Sequence, residues 1–132
     1  MTRLVPGDTV GGWTLTRKLG RGGTGTVYEA THPQRPGRFA VKVLALADSG
    51  AAESRAMFER ERHLLASVTH SHVVRLVDSG TDGRHTFLVM DLIEGETLRA
   101  RLDRGRLPRA LIVRAGSELL SALGAIHAAG IL

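Results

Sequence analysis

The chain has no cysteine among its 132 residues. That excludes disulfides and thiolate metal centres, and it fits a reducing cytosol, so a cytoplasmic location is expected. Aromatic residues are scarce: Trp13, Tyr28, Phe39, Phe58 and Phe87 are all there are. Five rings are too few for a base-stacking surface. The net charge of +5 therefore reads as a solvated, arginine-preferring surface, and no nucleic-acid partner is expected. The first ten residues lack the apolar block of an export signal. The longest apolar region, 110–132, carries Arg114, Glu118 and His127, so no membrane segment is expected. The length allows about one domain, and an apolar fraction of 42% supports a packed core. Lysine is nearly missing too, with Lys18 and Lys42 standing against sixteen arginines. A lysine at 42 is then a choice, because a compact ammonium and a flat guanidinium fork differ as phosphate ligands.

What is present surrounds that lysine. Leu19 to Val27 read L-G-R-G-G-T-G-T-V, and Lys42 lies fifteen residues past Val27, inside F-A-V-K-V. Glycines at 20, 22, 23 and 25 let a backbone press against a ligand with no side chains in the way.

The pattern along the chain predicts a strand-rich part followed by a helical part. Trp13–Leu19 alternates apolar and polar residues, as a half-exposed antiparallel strand does. The glycine run is its turn, and Thr26–Ala30 is extended again. Residues 31–37, with two prolines and a glycine, predict a loop. Phe39–Leu46 predicts a strand, and residues 48–50 a turn that caps the next helix. Residues 51–68 repeat helically, with Met57, Phe58, Leu64, Leu65 and Val68 as the apolar set. Val73–Val77 and His85–Met90 predict two more strands joined by D-S-G-T-D-G-R. That makes five strands with one helix after the third. Thr97–Arg104 predicts a short helix and 109–129 a long apolar one. The two parts meet near 91–95, and no internal repeat is visible.

A lone G-x-G-x-x-G admits several readings. A dinucleotide fold needs a buried parallel strand before it and a helix directly after it. Here the preceding strand alternates, and T-V-Y-E-A follows. A Walker A loop needs G-K-[ST] after its last glycine, and Gly25 is followed by Thr26 and Val27. A plain glycine-rich hairpin stays open, beside a flap over a ligand with V-K on the third strand. Alternation puts Ala40 and Lys42 on one sheet face, with Ala40 small enough to leave room for a flat ring and Val27 able to act as an apolar lid. At about 100° per residue, the helical apolar set falls within a stripe roughly 120° wide. Glu61 sits near its centre and Glu59 opposite. A carboxylate in an apolar stripe is costly unless paired, and Lys42 is its natural partner. An arginine at a wet helix edge is the alternative.

Together these segments resemble the N-terminal lobe of a protein kinase of the bacterial serine/threonine type. The resemblance runs from Gly12 to Leu132. It rests on G-x-G-x-x-G-x-V at 20–27, A-x-K at 40–42, Glu61, T-H-S-H-V-V-R-L from Thr69, and F-L-V-M-D-L-I-E-G-E-T-L at 87–98. It implies an α+β fold: residues 1–11 as a leader, 12–90 as an N-lobe of five antiparallel strands and one helix, 91–95 as the hinge, and 96–132 as the start of a helical C-lobe. It also implies roles. The backbone of Gly20, Arg21, Gly22, Gly23, Thr24 and Gly25, running on into Thr26, covers the ATP phosphates. Lys42 holds the α and β phosphates and pairs with Glu61. Leu19, Val27 and Ala40 sandwich adenine, Met90 is the gatekeeper, and backbone groups of Asp91 and Ile93 bind the adenine edge. Leu65 and Leu76 fall where the family stacks an apolar spine. Thr24 and Ser71 depart mildly from the pattern.

No H-R-D, D-F-G or A-P-E occurs in the sequence, so the resemblance supplies no catalytic base and no metal ligands. The expectation is the ATP-binding front part of a serine/threonine kinase. In its complete form that kinase acts on protein substrates with ATP and Mg; this chain alone is inactive. A non-catalytic nucleotide-binding or kinase-partner module is the alternative. The apolar helix 109–132 is expected to drive homo-oligomers or aggregation. His70-x-His72, His63 and His85 do not complete a metal set.

Overall fold

The computed structural model describes residues 3–45, 51–83 and 85–131, with the side chains of Ala51, Ser54 and Glu61 outside that description. In chain order the elements are β1 (Thr9–Val10), β2 (Trp13–Gly22), β3 (Gly25–His32), β4 (Arg35–Leu44), α1 (Ala51–Ser67), β5 (Leu76–Asp82), β6 (His85–Asp91), α2 (Leu98–Asp103) and α3 (Arg109–Ala128). The strands form one antiparallel sheet in the order β1-β2-β3-β4-β6-β5. The α+β class is as expected, with six strands rather than five. The extra one, β1, pairs Thr9 with Thr14 and Val10 with Trp13; two residues are too few to show alternation.

Two predicted loops are largely strand. Between β3 and β4 only Pro33 and Gln34 lie outside the strands. The ladder passes from Ala30–Phe39 to His32–Arg35, so β4 carries surplus residues there. Pro36 and Gly37, with φ +94 at the glycine, sit in that bulge, which is where a sheet tolerates them. The second case is β5. It was expected over Val73–Val77 but runs Leu76–Asp82, taking in all of D-S-G-T-D. Ladder pairing to the apolar run of β6 overrides the turn propensity of those residues. The predicted β4 end at Leu46 and the turn at 48–50 lie outside the described residues.

The polar residues of β5 have a task. Asp82 Oδ2 accepts from the amide of Gly11 at 2.8 Å, and Asp78 Oδ2 accepts from Trp13 Nε1 at 3.2 Å. Gly11 precedes β2 at one end of the strand order, and β5 is the other edge. The sheet therefore curls until its two margins touch. Gly11 has φ +55, and a Cβ there would lie 2.3 Å from the Phe87 ring, so only glycine fits this closure.

Curling buries one face. Val10, Trp13, Leu15, Tyr28, Ala30, Val41, Val43, Phe87 and Val89 form a core there, with Phe39 packed against it. Trp13 is 0% exposed, and its ring meets Phe39 edge-on at 5.2 Å. The opposite face carries a smaller cluster, Leu44, Phe58 and Leu88, with Leu65, Leu76 and Met90 against it. It joins α1 to β4, β5 and β6. Phe58 and Val68 are buried and Leu64 and Leu65 half-buried, but Met57 is 53% exposed. The apolar stripe of α1 is narrower than its sequence predicts. Thr97 caps α2 by accepting from the Ala100 amide at 3.1 Å. Of α3 only Ala122 is buried, and Leu120 stands 71% exposed.

Candidate functional site

The glycine segment is a hairpin tighter than its sequence suggests. β2 runs through to Gly22, which pairs with Gly25, so the turn is Gly23–Thr24 alone. Its tip is tied down, since the Thr24 carbonyl accepts from the Ala45 amide at 3.1 Å. Gly25 makes this approach possible. A Cβ there would stand 2.3 Å from the Val43 carbonyl oxygen, so any side chain would lift the hairpin off the end of β4. Around Gly20, Gly22 and Gly23 a Cβ would meet nothing within 4 Å. Three glycines thus leave open space beside the backbone, and the fourth accommodates the protein's own strand.

Register decides what shares a face with Lys42. Across β4, Lys42 is opposite Val27 on β3 and Leu88 on β6, while Ala40 is opposite Glu29 and Met90. Directly opposed residues point the same way, so Val27, Ala40, Lys42, Leu88 and Met90 occupy one face, opposite the Trp13 core. Lys42 is half-buried and has a partner. The expected partner, Glu61, lies on α1, and its side chain is outside the described residues. Glu59 is exposed and 3.5 Å from Arg62, on the solvent side as expected.

The remaining expected site residues divide. Gly20 opposes Val27, and Leu19 occupies the irregularity between the Lys18–Tyr28 and Gly20–Val27 pairs, 39% exposed. Arg21 opposes Thr26, and both side chains line a cavity on the Trp13 face, so they can offer the Lys42 face only backbone. Beyond the end of β6, Ile93 is 72% exposed. The Asp91 amide donates to the Arg75 carbonyl at 3.1 Å. The Asp91 carboxylate accepts from Arg75 Nε and Nη2 at 3.0 and 2.9 Å. Those hydrogen bonds hold the Asp91 carboxyl below its ordinary range.

One charged group on this face went unnoticed in the sequence. Glu29 is buried, and its carboxylate accepts from Arg17 Nη2 at 2.8 Å and from Arg38 Nη1 at 2.9 Å. Arg38 also pairs with Glu94, just past Ile93. The Arg17 hydrogen bond first, and that of Arg38 second, depress the Glu29 pKa against the effect of burial. The network ties β2, β3, β4 and the segment after β6 together. Its signal was faint: an acidic residue in an apolar strand, at the same two-residue phase as Val27.

The histidine pair serves contacts between elements. His70 Nε2 lies 2.9 Å from Ser121 Oγ on α3, and His72 Nδ1 is 4.0 Å from Glu118. Among the described residues no group of His, Asp or Glu is placed to hold a metal ion.

Residues 13–132 match the family model described as the protein kinase domain. The serine/threonine-protein kinase PknF of Mycobacterium tuberculosis is 38% identical over 120 residues, covering 91% of this chain and 25% of that protein. The serine/threonine-protein kinase pkn2 of Myxococcus xanthus is 39% identical over 134 residues, covering 98% and 16%. Among solved structures, a mutant form of the Mycobacterium tuberculosis PknI kinase domain superposes with a TM-score of 0.85 at 30% identity, over 99% of this chain and 54% of that one. A second PknI kinase domain structure gives 0.82 at 32%, over 98% and 53%. The chain thus spans about a quarter or less of these curated relatives and about half of the solved domain. By length and composition α3 could cross a membrane, yet almost all of the chain, α3 included, superposes on that kinase domain.

Proposed function

The chain belongs to the protein kinase family, as part of a kinase domain of the bacterial serine/threonine type, and from that premise we propose that its Lys42 face holds ATP. In the complete protein, the γ-phosphate passes to hydroxyls of protein substrates. The observation that carries this reading is the register that sets Lys42 between Val27 and Leu88, two residues from Ala40, beside the glycine hairpin. Leu19, Val27 and Ala40 enclose the adenine ring, with Met90 behind it. The Asp91 amide is already engaged, so Asp91 offers adenine its carbonyl, and Ile93 its backbone. The hairpin backbone lies along the phosphates. The Lys42 ammonium neutralises the α and β phosphates and is held by Glu61. Magnesium is expected only with the complete kinase.

H-R-D and D-F-G are not among these residues, so this chain binds nucleotide without transferring phosphate, in a cytoplasmic setting where ATP is present. The uncovered leucines of α3 drive self-association, to be checked by sedimentation. The test of the central reading is calorimetric titration with Mg-ATP. Weak, saturable binding that Lys42→Met weakens further is expected. Equal affinity in the two proteins overturns it.

A further inference from the structure

The Trp13 face ends, towards the glycine hairpin, in an open cavity of about 770 Å³. Its floor is β3 and β4, where Thr26 and the buried Tyr28 and Val43 reach the edge of the Trp13 core. One wall is the back of the hairpin. The other is the segment Arg3–Pro6, which crosses the sheet as a strap. The strap is fastened: the Tyr28 hydroxyl donates to the Leu4 carbonyl at 3.2 Å. The Val5 amide donates to Asp8 Oδ2 at 2.8 Å, and the Gly7 amide to the Leu15 carbonyl at 2.7 Å. Leu4 packs on the Trp13 core.

The charge in this cavity has one sign. Arg3, Lys18 and Arg21 line it beside His85, and among the described residues no carboxylate does. Elsewhere on the sheet, arginines meet acids: Arg17 and Arg38 meet Glu29, and Arg75 meets Asp91. Among the described residues none of the four cavity bases has an ion-pair partner. Between them lies apolar surface from Leu4, Pro6, Val43 and Leu44. A hollow of this size, with an apolar floor and convergent polar groups, is of the kind that takes a small molecule. Cations gathered without counter-charges favour an anion.

We propose that this cavity is a second ligand site, on the reverse side of the glycine hairpin from Lys42. Its ligand is a small organic anion of the phosphate-monoester class with a flat or branched apolar body. The phosphate meets Lys18 and Arg21, with Arg3 and His85 at the rim. The apolar body lies on Val43 under the strap. The site is separate from the nucleotide face, and its occupancy does not depend on ATP binding.

The probe is 1-naphthyl phosphate, titrated into the 15N-labelled 132-residue chain. Saturable amide shifts centred on Lys18, Arg21, Tyr28 and His85 are expected, with Ala40 and Met90 unmoved. Lys18→Ala combined with Arg21→Ala should weaken binding about tenfold or more, the scale of a lost charge-assisted contact. Both side chains are exposed, so the variant should keep its fold, and its unchanged amide spectrum away from the cavity verifies this. Neutral 1-naphthol should bind much more weakly. Three results overturn the proposal: shifts centred on Ala40 and Met90, equal affinity in the double variant, or no saturation up to about 10 mM, well short of ordinary ligand affinities.

Discussion

The two faces of the six-stranded sheet are made by the same strands and have opposite characters. The Trp13 face holds four of the five aromatic residues, Trp13, Tyr28, Phe39 and Phe87, in a core sealed where the sheet margins meet. The Lys42 face has small or aliphatic residues, Val27, Ala40, Leu88 and Met90, interspersed with Glu29 and Lys42. Folding free energy comes mostly from the first, since apolar burial dominates it. The second is left with ionisable groups that a core alone would not select. Glu29 and Lys42 therefore sit on the face that contributes less to stability.

The comparison predicts separable losses. Trp13→Ala should cost about 3–5 kcal/mol, as large-to-small changes of buried aromatics do. Denaturant titration reads this, and a loss below about 1 kcal/mol would break the assignment of stability to that face, since it would match an ordinary substitution. Lys42→Met should cut nucleotide affinity by the worth of a charge-assisted contact, about 1.5–3 kcal/mol, while the protein stays folded. Calorimetry and circular dichroism on the same sample separate the two effects. Gly25→Ala should cost about 1–3 kcal/mol, as over-packing does, because its methyl meets the Val43 carbonyl; thermal unfolding measures it.

Smaller effects sharpen the contrast. Arg17 and Arg38 lower the Glu29 pKa below its ordinary 4.5. A carboxyl depressed on folding stabilises the native state above its unfolded value, and that stabilisation fades as acid titrates it through the lower native value. The stability advantage of the wild-type chain over Glu29→Gln should hold near neutrality and shrink below about pH 4.5, the ordinary carboxyl range. Unfolding curves across pH 2–7 test this; an advantage that grows in acid would contradict the network. Last, Glu59→Ala removes an exposed partner of Arg62 and should move stability by no more than about 0.5 kcal/mol.

How much could be read beforehand follows the same division. Ala40, Lys42 and Val27 were legible because strand alternation and ladder pairing set them at a fixed phase, two residues apart on a strand or opposite across a ladder. The edges were not. β1 is shorter than one period of alternation. Asp78 and Asp82 look like turn residues, and their hydrogen bonds reach partners 65 and 71 positions away, beyond what a local pattern can show. Pro33 and Pro36 read as loop markers, yet a two-residue turn and a bulge absorb them. Met57 fits the periodicity of α1 but not the limited area of sheet that α1 covers. For Glu29, burial becomes visible only once Arg17 and Arg38 are seen to converge on it.

The alternation in β4 also has a consequence for the gene. Ala40 and Lys42 face one way and Val41 and Val43 the other, so this strand is written in phase. Substituting one of these four residues alters one face. Deleting Phe39, Ala40 or Val41 inverts every side chain beyond the cut, sending Lys42 into the aromatic core and Val43 to the opposite face. The Pro33–Gln34 turn lies outside both strands and carries no such phase. Natural length variation in this stretch should accumulate at that turn and be purged from the strand that follows it.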